Sequence, residues 1–252
     1  MTADGSESPA RVSELPAEAG DERSPSEDRF ARRLRGFGPP GILAILLILF
    51  TGNVDLGNMV ILPIGAVLVL AWAWLSRTRW RELGYVRMPP KSWIVTVAAG
   101  IVFGIAFKLL MKAVVMPLLG ADPINQAYHF LTGNPALVPA TVFSMIVAAG
   151  FGEETVFRGY MFERFGKLFG SSGRAKTAIV LITSVWFGLG HYRVQGLAGA
   201  EQALIVGFVF GTIFAATGRI WLLMCAHAAF DLTAYAIIYW KLESNVAHLV
   251  FR

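Results

Sequence analysis

Residues 92–119 read SWIVTVAAGIVFGIAFKLLMKAVVMPLL, and this apolar run is the clearest indication of the fold class. A helix that crosses about 30 Å of hydrocarbon needs roughly 20 apolar residues, so the run predicts a membrane-spanning helix. It is continuously apolar rather than alternating, which argues against a barrel strand. We expect Lys108 and Lys112 to snorkel or to line a water-filled cavity. The spacing of Gly100 and Gly104 predicts close packing against another helix.

Similar apolar runs lie on both sides of this one. Together they predict membrane spans at residues 38–54, 57–75, 92–119, 135–157, 177–191, 197–217 and 220–240. Because some runs are short and one is long, the pattern allows about six to eight spans. We therefore predict an all-α, polytopic membrane helix bundle of about seven transmembrane helices.

The composition supports a membrane protein over a soluble one. Hydrophobic residues make up 55% of the chain and charged residues 15%, whereas soluble domains average about 25% charged. The single cysteine, Cys225, excludes a disulfide framework and a four-thiolate metal site. The pI of about 9.6 comes from bases in short clusters beside the apolar runs. We therefore predict contact with the lipid bilayer and no binding of nucleic acid.

The chain divides into four parts by composition. Residues 1–35 are an acidic tail that ends in a basic stretch, with too few large apolar side chains to offset the entropy of ordering, so we predict disorder. Residues 36–90 hold two predicted spans and a basic loop. Residues 91–241 form the predicted catalytic membrane core, and residues 242–252 are a short C-terminal tail.

The positions of Lys and Arg predict the orientation in the membrane. Bases precede the first span and occur in residues 76–91 and 158–176, whereas residues 51–58 and 120–134 have none. Cytoplasmic loops carry the excess of bases, so we place the N-terminus in the cytoplasm and the base-free loops outside. At about 1.5 Å per residue, Glu153 then lies about 27 Å from the outer start of its helix, in the cytoplasmic leaflet.

Three groups of polar residues lie within or at the ends of the later runs, where an ionisable side chain costs roughly 2.5–3.5 kcal/mol. They are EETVFRG at 153–159, FGLGH at 187–191 and HAAFD at 227–231. On a helix, Glu154 and Arg158 are four residues apart and can pair. That pairing leaves Glu153 unneutralised and able to act as a general base. Each group alone also fits a structural role, as an interfacial charge cluster, a packing histidine or a polar clasp.

Taken together, the polar residues form a set that activates water. Glu153, His191, His227 and Asp231 can do so by general-base chemistry or through a metal ion. The zinc-binding signature H-E-x-x-H is absent, which excludes the common soluble metalloproteases. The chain also lacks G-x-S-x-G and a Gly-rich phosphate loop.

These motifs resemble the CPBP family (CAAX protease and bacteriocin-processing), which includes the type II CAAX prenyl endopeptidases and bacterial Abi-like proteins. The matching residues, in the family's order, are E-E-x-x-x-R-G at 153–159, F-x-x-x-H at 187–191 and H-x-x-x-D at 227–231. The resemblance implies an intramembrane endopeptidase that cleaves a membrane-associated protein or peptide. Asp231 stands where eukaryotic prenyl proteases usually have Asn, so the resemblance is to a bacterial-type member and does not extend to prenyl-protein specificity.

The resemblance also implies roles for individual residues. Glu153 and His191 would activate the attacking water, while His227 and Asp231 would hold the oxyanion or position the water. The residues expected to shape the site are Glu154, Arg158 and Phe187, with contact to a substrate C-terminal carboxylate as one role for the arginine. We favour a mechanism that requires no cofactor, although Glu153, His191 and His227 are also able to ligate zinc.

Two other functions stay open at this point. One is a non-catalytic immunity or scaffold protein of the same fold. The other is a small proton-coupled transporter that uses Glu153 and Asp231 as a relay. For the endopeptidase, we expect a water-filled cavity among the fourth to seventh spans and a location in a bacterial plasma membrane, with the N-terminus in the cytoplasm.

Overall fold

The computed structural model describes residues 25–57 and 60–251, which form a helical bundle. Most of the predicted disordered tail, residues 1–24, lies outside the described residues. The end of that tail differs from the prediction, because Pro25–Arg35 form a helix, α1. Three arginines lie in its last turn, where the negative end of the helix dipole favours positive charge.

Helices of very different length make up the bundle. After α1 they are α2 (Pro39–Thr51), α3 (Ile64–Leu75), α4 (Pro90–Leu118), α5 (Pro135–Phe169), α6 (Gly173–Thr217), α7 (Trp221–Tyr239) and α8 (Glu243–Ala247). Short 3-10 turns lie at Trp80–Leu83 and Gln126–Leu131. Between α2 and α3, β1 (Val54–Asp55) pairs antiparallel with β2 (Ile61–Leu62).

The helices confirm an all-α membrane bundle but not the predicted count of seven spans. Within the described residues, α4, α5, α6 and α7 are long and apolar enough to cross a membrane, and α1 with α2 makes a fifth if that pair, bent by 57°, is one span. Helices α2 and α3 have 13 and 12 residues. They are therefore only about 20 Å long. The predicted span at 57–75 is shortened because its first apolar residues form β2.

Helix α6 reverses direction at Gly196, whose φ of 66° and ψ of −163° are not helical. A Cβ on Gly207 would lie 3.0 Å from Ser184 Cα. In a straight helix these two residues would be about 35 Å apart, so the chain must fold back on itself. The two arms of α6, residues 173–195 and 197–217, are therefore antiparallel.

Two glycines let α4 pack closely on α7. A Cβ on Gly104 would lie 2.1 Å from the carbonyl oxygen of Ala226, and one on Gly100 would lie 2.7 Å from that of Leu222. The close packing predicted from the glycine spacing is confirmed. A core of buried hydrophobic side chains lies beside this contact and includes Phe107, Met111, Phe187, Phe210, Leu223 and Phe230.

Candidate active site

Helix α5 carries Glu153 on a wide π-helical turn and Glu154 between two such turns. These turns cover residues 144–153 and 155–160, and π-helical turns occur frequently at functional sites. Gly150 brings this part of α5 against α7, because a Cβ at that position would lie 2.9 Å from the Cβ of Ala228. The carboxylates of α5 therefore face the polar residues of α7 at short range.

Glu154 is fully buried and joins two basic side chains. Its Oε1 accepts hydrogen bonds from Arg158 Nη1 at 2.8 Å and from His227 Nδ1 at 2.7 Å. The pair of Glu154 and Arg158 predicted from their spacing is therefore confirmed. A carboxylate bonded to one ring nitrogen fixes the tautomer and the orientation of a histidine. Glu154 thus positions the ring of His227.

The second ring nitrogen of His227 faces the other two acidic residues. Its Nε2 lies 3.8 Å from Glu153 Oε2 and 3.7 Å from Asp231 Oδ2. Oε2 of Glu153 has no hydrogen-bond partner in the described part of the chain. The Glu153 side chain is 20% exposed. Its carboxylate can therefore accept a hydrogen bond from a water molecule.

His191 reaches the site from the first arm of α6. Its Nδ1 lies 2.8 Å from the carbonyl oxygen of Phe187. Because a carbonyl oxygen can only accept, this nitrogen donates, and in the neutral ring Nε2 remains an acceptor. The Phe187 ring lies 4.6 Å from the His191 ring and 6.0 Å from the His227 ring, measured between centroids. Phe187 therefore packs against both histidines.

A cavity of about 180 Å³ joins these side chains. The predicted site residues that line it are Glu153, Phe187, His191, His227 and Asp231. Lys108 also lines it and donates a hydrogen bond to Gln202 Oε1 at 2.9 Å. The sequence allowed this lysine either to snorkel or to line a cavity, and in the structure it lines a cavity.

Several polar residues of the cavity wall were not found from the sequence. They are Asn53, Asn125, Tyr128, Gln195 and Gln202. Gln202 lies in an apolar run and Gln195 lies beside one. A polar side chain in such a position could have indicated both as candidate site residues. The others lie in loops, where polar residues are ordinary. Their place at the site depends on how the loops pack against the bundle.

Arg158 lies behind the cavity rather than in its wall. It is 2% exposed, its Nη1 is bonded to Glu154, and its guanidinium carbon lies 5.0 Å from the Phe187 ring centroid. It is not among the described residues that line the cavity. The expected contact with a substrate carboxylate does not fit this position. The structure instead gives Arg158 the role of holding Glu154.

The predicted zinc ligands are not arranged as a metal site. Among the described residues, no three His, Cys, Asp or Glu side chains are placed to hold one ion. Glu153, His191 and His227 share the cavity wall but do not form such a group.

An apolar cleft meets the cavity at the same residues. Asn53, Glu153, Phe187 and His191 line both spaces. The other cleft walls come from α2, α5 and the first arm of α6, and they include Ile48, Leu49, Val156, Phe157 and Trp186. The site is therefore reached through a polar cavity and also through an apolar cleft between helices.

A family model covers most of these elements. Residues 135–233 match the type II CAAX prenyl endopeptidase Rce1-like family, and this segment contains all three motifs. Residues 135–233 form an Rce1-like domain. The family resemblance predicted from the motifs is thereby confirmed, and the Rce1-like family is a protease family. No curated protein and no solved structure matches the chain.

The Rce1-like domain supplies the acidic residues and both histidines of the site. Other residues of the cavity wall, among them Lys108 and Asn53, come from outside the matched segment. The apolar helices together with the family make the chain an integral membrane protein.

Proposed function

We propose that this protein is an intramembrane endopeptidase that hydrolyses a peptide bond of a membrane-associated protein or peptide. The observation that carries the proposal is the carboxylate of Glu153. It has no hydrogen-bond partner on Oε2 within the described residues, and it shares one cavity with His191 and His227. A carboxylate in this situation is suited to remove a proton from water.

Glu153 acts as the general base. Its carboxylate accepts a proton from a water molecule while the water oxygen attacks the scissile carbonyl carbon. Nε2 of His191, left as an acceptor by the bond to Phe187, accepts the second hydrogen of that water in a hydrogen bond. When the tetrahedral intermediate collapses, the C–N bond breaks and Glu153 transfers its proton to the leaving amine. The carboxylate is then restored.

His227 stabilises the oxyanion. Glu154 accepts the Nδ1 proton and holds the ring, so in the imidazolium form the N–H at Nε2 is directed into the cavity, towards Glu153 and Asp231. A donor fixed in this way stabilises developing negative charge without reorganisation. Asp231 orients the ring or, in its protonated form, donates a second hydrogen bond to the same oxyanion.

The two spaces that meet at Glu153 suggest how a membrane-bound substrate is held. An apolar part of the substrate fits the cleft between α2 and the first arm of α6, which is lined by hydrophobic side chains. The polar peptide backbone fits the cavity, whose wall carries Asn, Gln and Tyr side chains. Such convergence of a mainly apolar space with a few polar groups is typical of ligand sites.

Replacement of Glu153 tests the proposal. We expect Glu153→Gln to lower the cleavage rate about 10²–10⁴-fold, because the amide cannot accept the proton. The measurement is cleavage of a panel of membrane-anchored peptides by purified protein in liposomes. The control is Glu201→Gln, a partly buried acid on α6 that does not line the cavity, and this variant should keep its activity.

The other outcomes of this experiment separate the rival functions. Unchanged cleavage by Glu153→Gln would exclude the proposed base. Substrate-driven proton flux without cleavage would indicate a transporter. Stable binding of a membrane protein, with no cleavage by the unaltered chain, would indicate a scaffold or immunity factor.

A further inference from the structure

Basic residues collect at one end of the bundle, which we call the basic end. It comprises α1, residues 76–91, the end of α5, the start of α6 and residues 218–220. Its bases are Arg29, Arg32, Arg33, Arg35, Arg77, Arg79, Arg81, Arg87, Lys91, Arg164, Lys167, Arg174, Lys176 and Arg219. Hydrogen bonds hold these segments together, as when Ile220 N donates to the Gly84 carbonyl oxygen.

The opposite end, which we call the loop end, comprises residues 52–57, 60–62 and 119–134, the turn at Gly196 and residues 240–251. These segments also contact one another. Gln195 Nε2 donates to the Tyr128 hydroxyl at 3.1 Å, and the backbone N–H of Asn125 donates to Glu243 Oε1 at 2.7 Å. Acids at this end include Asp55, Asp122, Glu201 and Glu243, beside the bases Lys112, Arg193 and Lys241.

The catalytic cavity extends to the loop end. Its wall includes Asn53 and Ile61 from the first loop, Asn125 and Tyr128 from the second, and Gln195 beside the turn of α6. Among the described residues of its wall, none comes from 76–89 or from 218–220. The path from solvent to the catalytic carboxylate therefore begins at the loop end.

The full length of α5 gives the distance of Glu153 from both ends of the bundle. The helix continues to Phe169, well beyond the predicted end of the span at residue 157. Glu153 is about 27 Å along the helix from Pro135 and about 24 Å from Phe169. The additional residues lie at the basic end, so the distance of Glu153 from the loop end stays the one expected from the sequence.

We infer that the catalytic cavity receives its substrate from the non-cytoplasmic side of the membrane. The inference rests on the proposed peptidase function and on the tendency of base-rich ends to stay in the cytoplasm. The substrate is then a peptide segment exposed at the outer surface, such as the juxtamembrane part of an exported, membrane-anchored protein. A cytoplasmic tail would face the basic end, to which the cavity does not extend.

Cysteine labelling of the two ends tests the orientation without requiring activity. The chain has one cysteine, so Cys225→Ala provides a background. Gln126→Cys marks the loop end and Arg87→Cys the basic end; both positions are exposed and neither lines the catalytic cavity. In intact cells treated with a membrane-impermeant maleimide, we expect Gln126→Cys to be labelled and Arg87→Cys not to be labelled. After the cells are permeabilised, Arg87→Cys should be labelled as well.

The reverse pattern, or labelling of both variants in intact cells, would overturn the inference. Neither result would affect the peptidase proposal, because purified protein in detergent exposes both ends to substrate. A functional measurement adds a second criterion. Asn53→Cys lies where the cavity meets the cleft, so an impermeant maleimide added outside should abolish cleavage of a peptide presented there. Continued cleavage by the fully modified variant would also contradict entry from this side.

Discussion

Two adjacent glutamates, Glu153 and Glu154, occupy different environments and take different roles. Glu154 is fully buried, and its Oε1 is bonded to both Arg158 and His227. Oε2 of each glutamate has no partner among the described residues, but only Glu153 is partly exposed and lines the cavity. His227 lies between them, with one ring nitrogen towards each carboxylate. In the proposed mechanism, Glu153 is therefore the residue that reacts and Glu154 the residue that positions His227.

Glu154→Gln tests the positioning role. An amide oxygen can accept the hydrogen bond but does not stabilise a charged imidazole as a carboxylate does. By comparison with other carboxylates that orient a catalytic histidine, we expect kcat to fall about 10²–10⁴-fold with little change in KM. The pH dependence of kcat should also change, since it reports the titration of the groups that Glu154 holds.

Glu163→Gln is the matched control for that measurement. Glu163 is also buried and bonded to an arginine, Arg164, at 2.5 Å, but it does not line the cavity. We expect this variant to lose stability while its pH profile of kcat stays unchanged. If Glu154→Gln showed only a loss of stability like that of the control, Glu154 would have a structural role alone.

At the level of helices, close backbone contact positions the candidate catalytic residues of α7. Gly104 of α4 faces the carbonyl oxygen of Ala226, the residue directly before His227. The turn at Gly196 has a comparable effect on α6, because it brings Gln202 of the second arm and His191 of the first arm to the same cavity. Two glycines thus determine where three helices place polar side chains.

Gly104→Ala tests this packing. A Cβ at this position would lie 2.1 Å from a backbone oxygen, which cannot move without shifting α7. Overpacking of this kind costs about 1–3 kcal/mol. We expect a lower thermal unfolding temperature in detergent and reduced cleavage. Gly166→Ala on α5 is the control, because its Cβ would meet no described atom within 4 Å, and alanine favours a helix. Equal stability of the two variants would contradict tight packing of α4 on α7.

Considered as a whole, the molecule is held together at the basic end by charged and polar contacts. Arg35 Nη2 donates to both carboxylate oxygens of Glu82, at 2.7 and 2.6 Å, and Lys167 Nζ donates to Glu82 Oε2 at 3.3 Å. Arg164 Nη1 donates to the carbonyl oxygen of Arg35 at 2.8 Å, and Trp72 Nε1 to that of Leu34 at 3.1 Å. These bonds tie α1 to α3, to α5 and to the basic loop.

The contacts of Glu82 predict a pH dependence of stability. Burial raises the pKa of this carboxyl, but the hydrogen bonds and charges of Arg35 and Lys167 lower it more, so the pKa lies below the usual 4.5. The stabilisation is therefore present at neutral pH and is lost as the pH falls below about 4.5. We expect Glu82→Gln to unfold at a lower temperature than the unaltered chain at pH 7, with a difference that shrinks in acid.

The size of this effect should be modest. Partly exposed ion pairs contribute about 0–1 kcal/mol each. The control Glu201→Gln should show no such convergence with pH. A Glu82→Gln variant that matches the unaltered chain at pH 7 would show that these ion pairs do not stabilise the basic end.

Features that depend on neighbours in the chain could be predicted from the sequence. The apolar runs gave the all-α membrane class, and the spacing of Glu154 and Arg158 gave their pair, because helix periodicity places residues four apart on one face. The ordered motifs gave the family, and they indicated residues that do line one cavity. The shortening of α3 was missed, because apolar residues in β2 are indistinguishable by hydropathy from those of a helix.

Features that depend on which helix faces meet required the tertiary structure. The bond between Glu154 and His227 joins residues 73 apart, and the burial of Arg158 behind Glu154 follows from the same contact. The tertiary structure also decided which loop residues line the cavity. It decided as well that the cavity extends to the loop end. Periodicity specifies a direction around one helix axis, whereas packing selects the neighbour found in that direction.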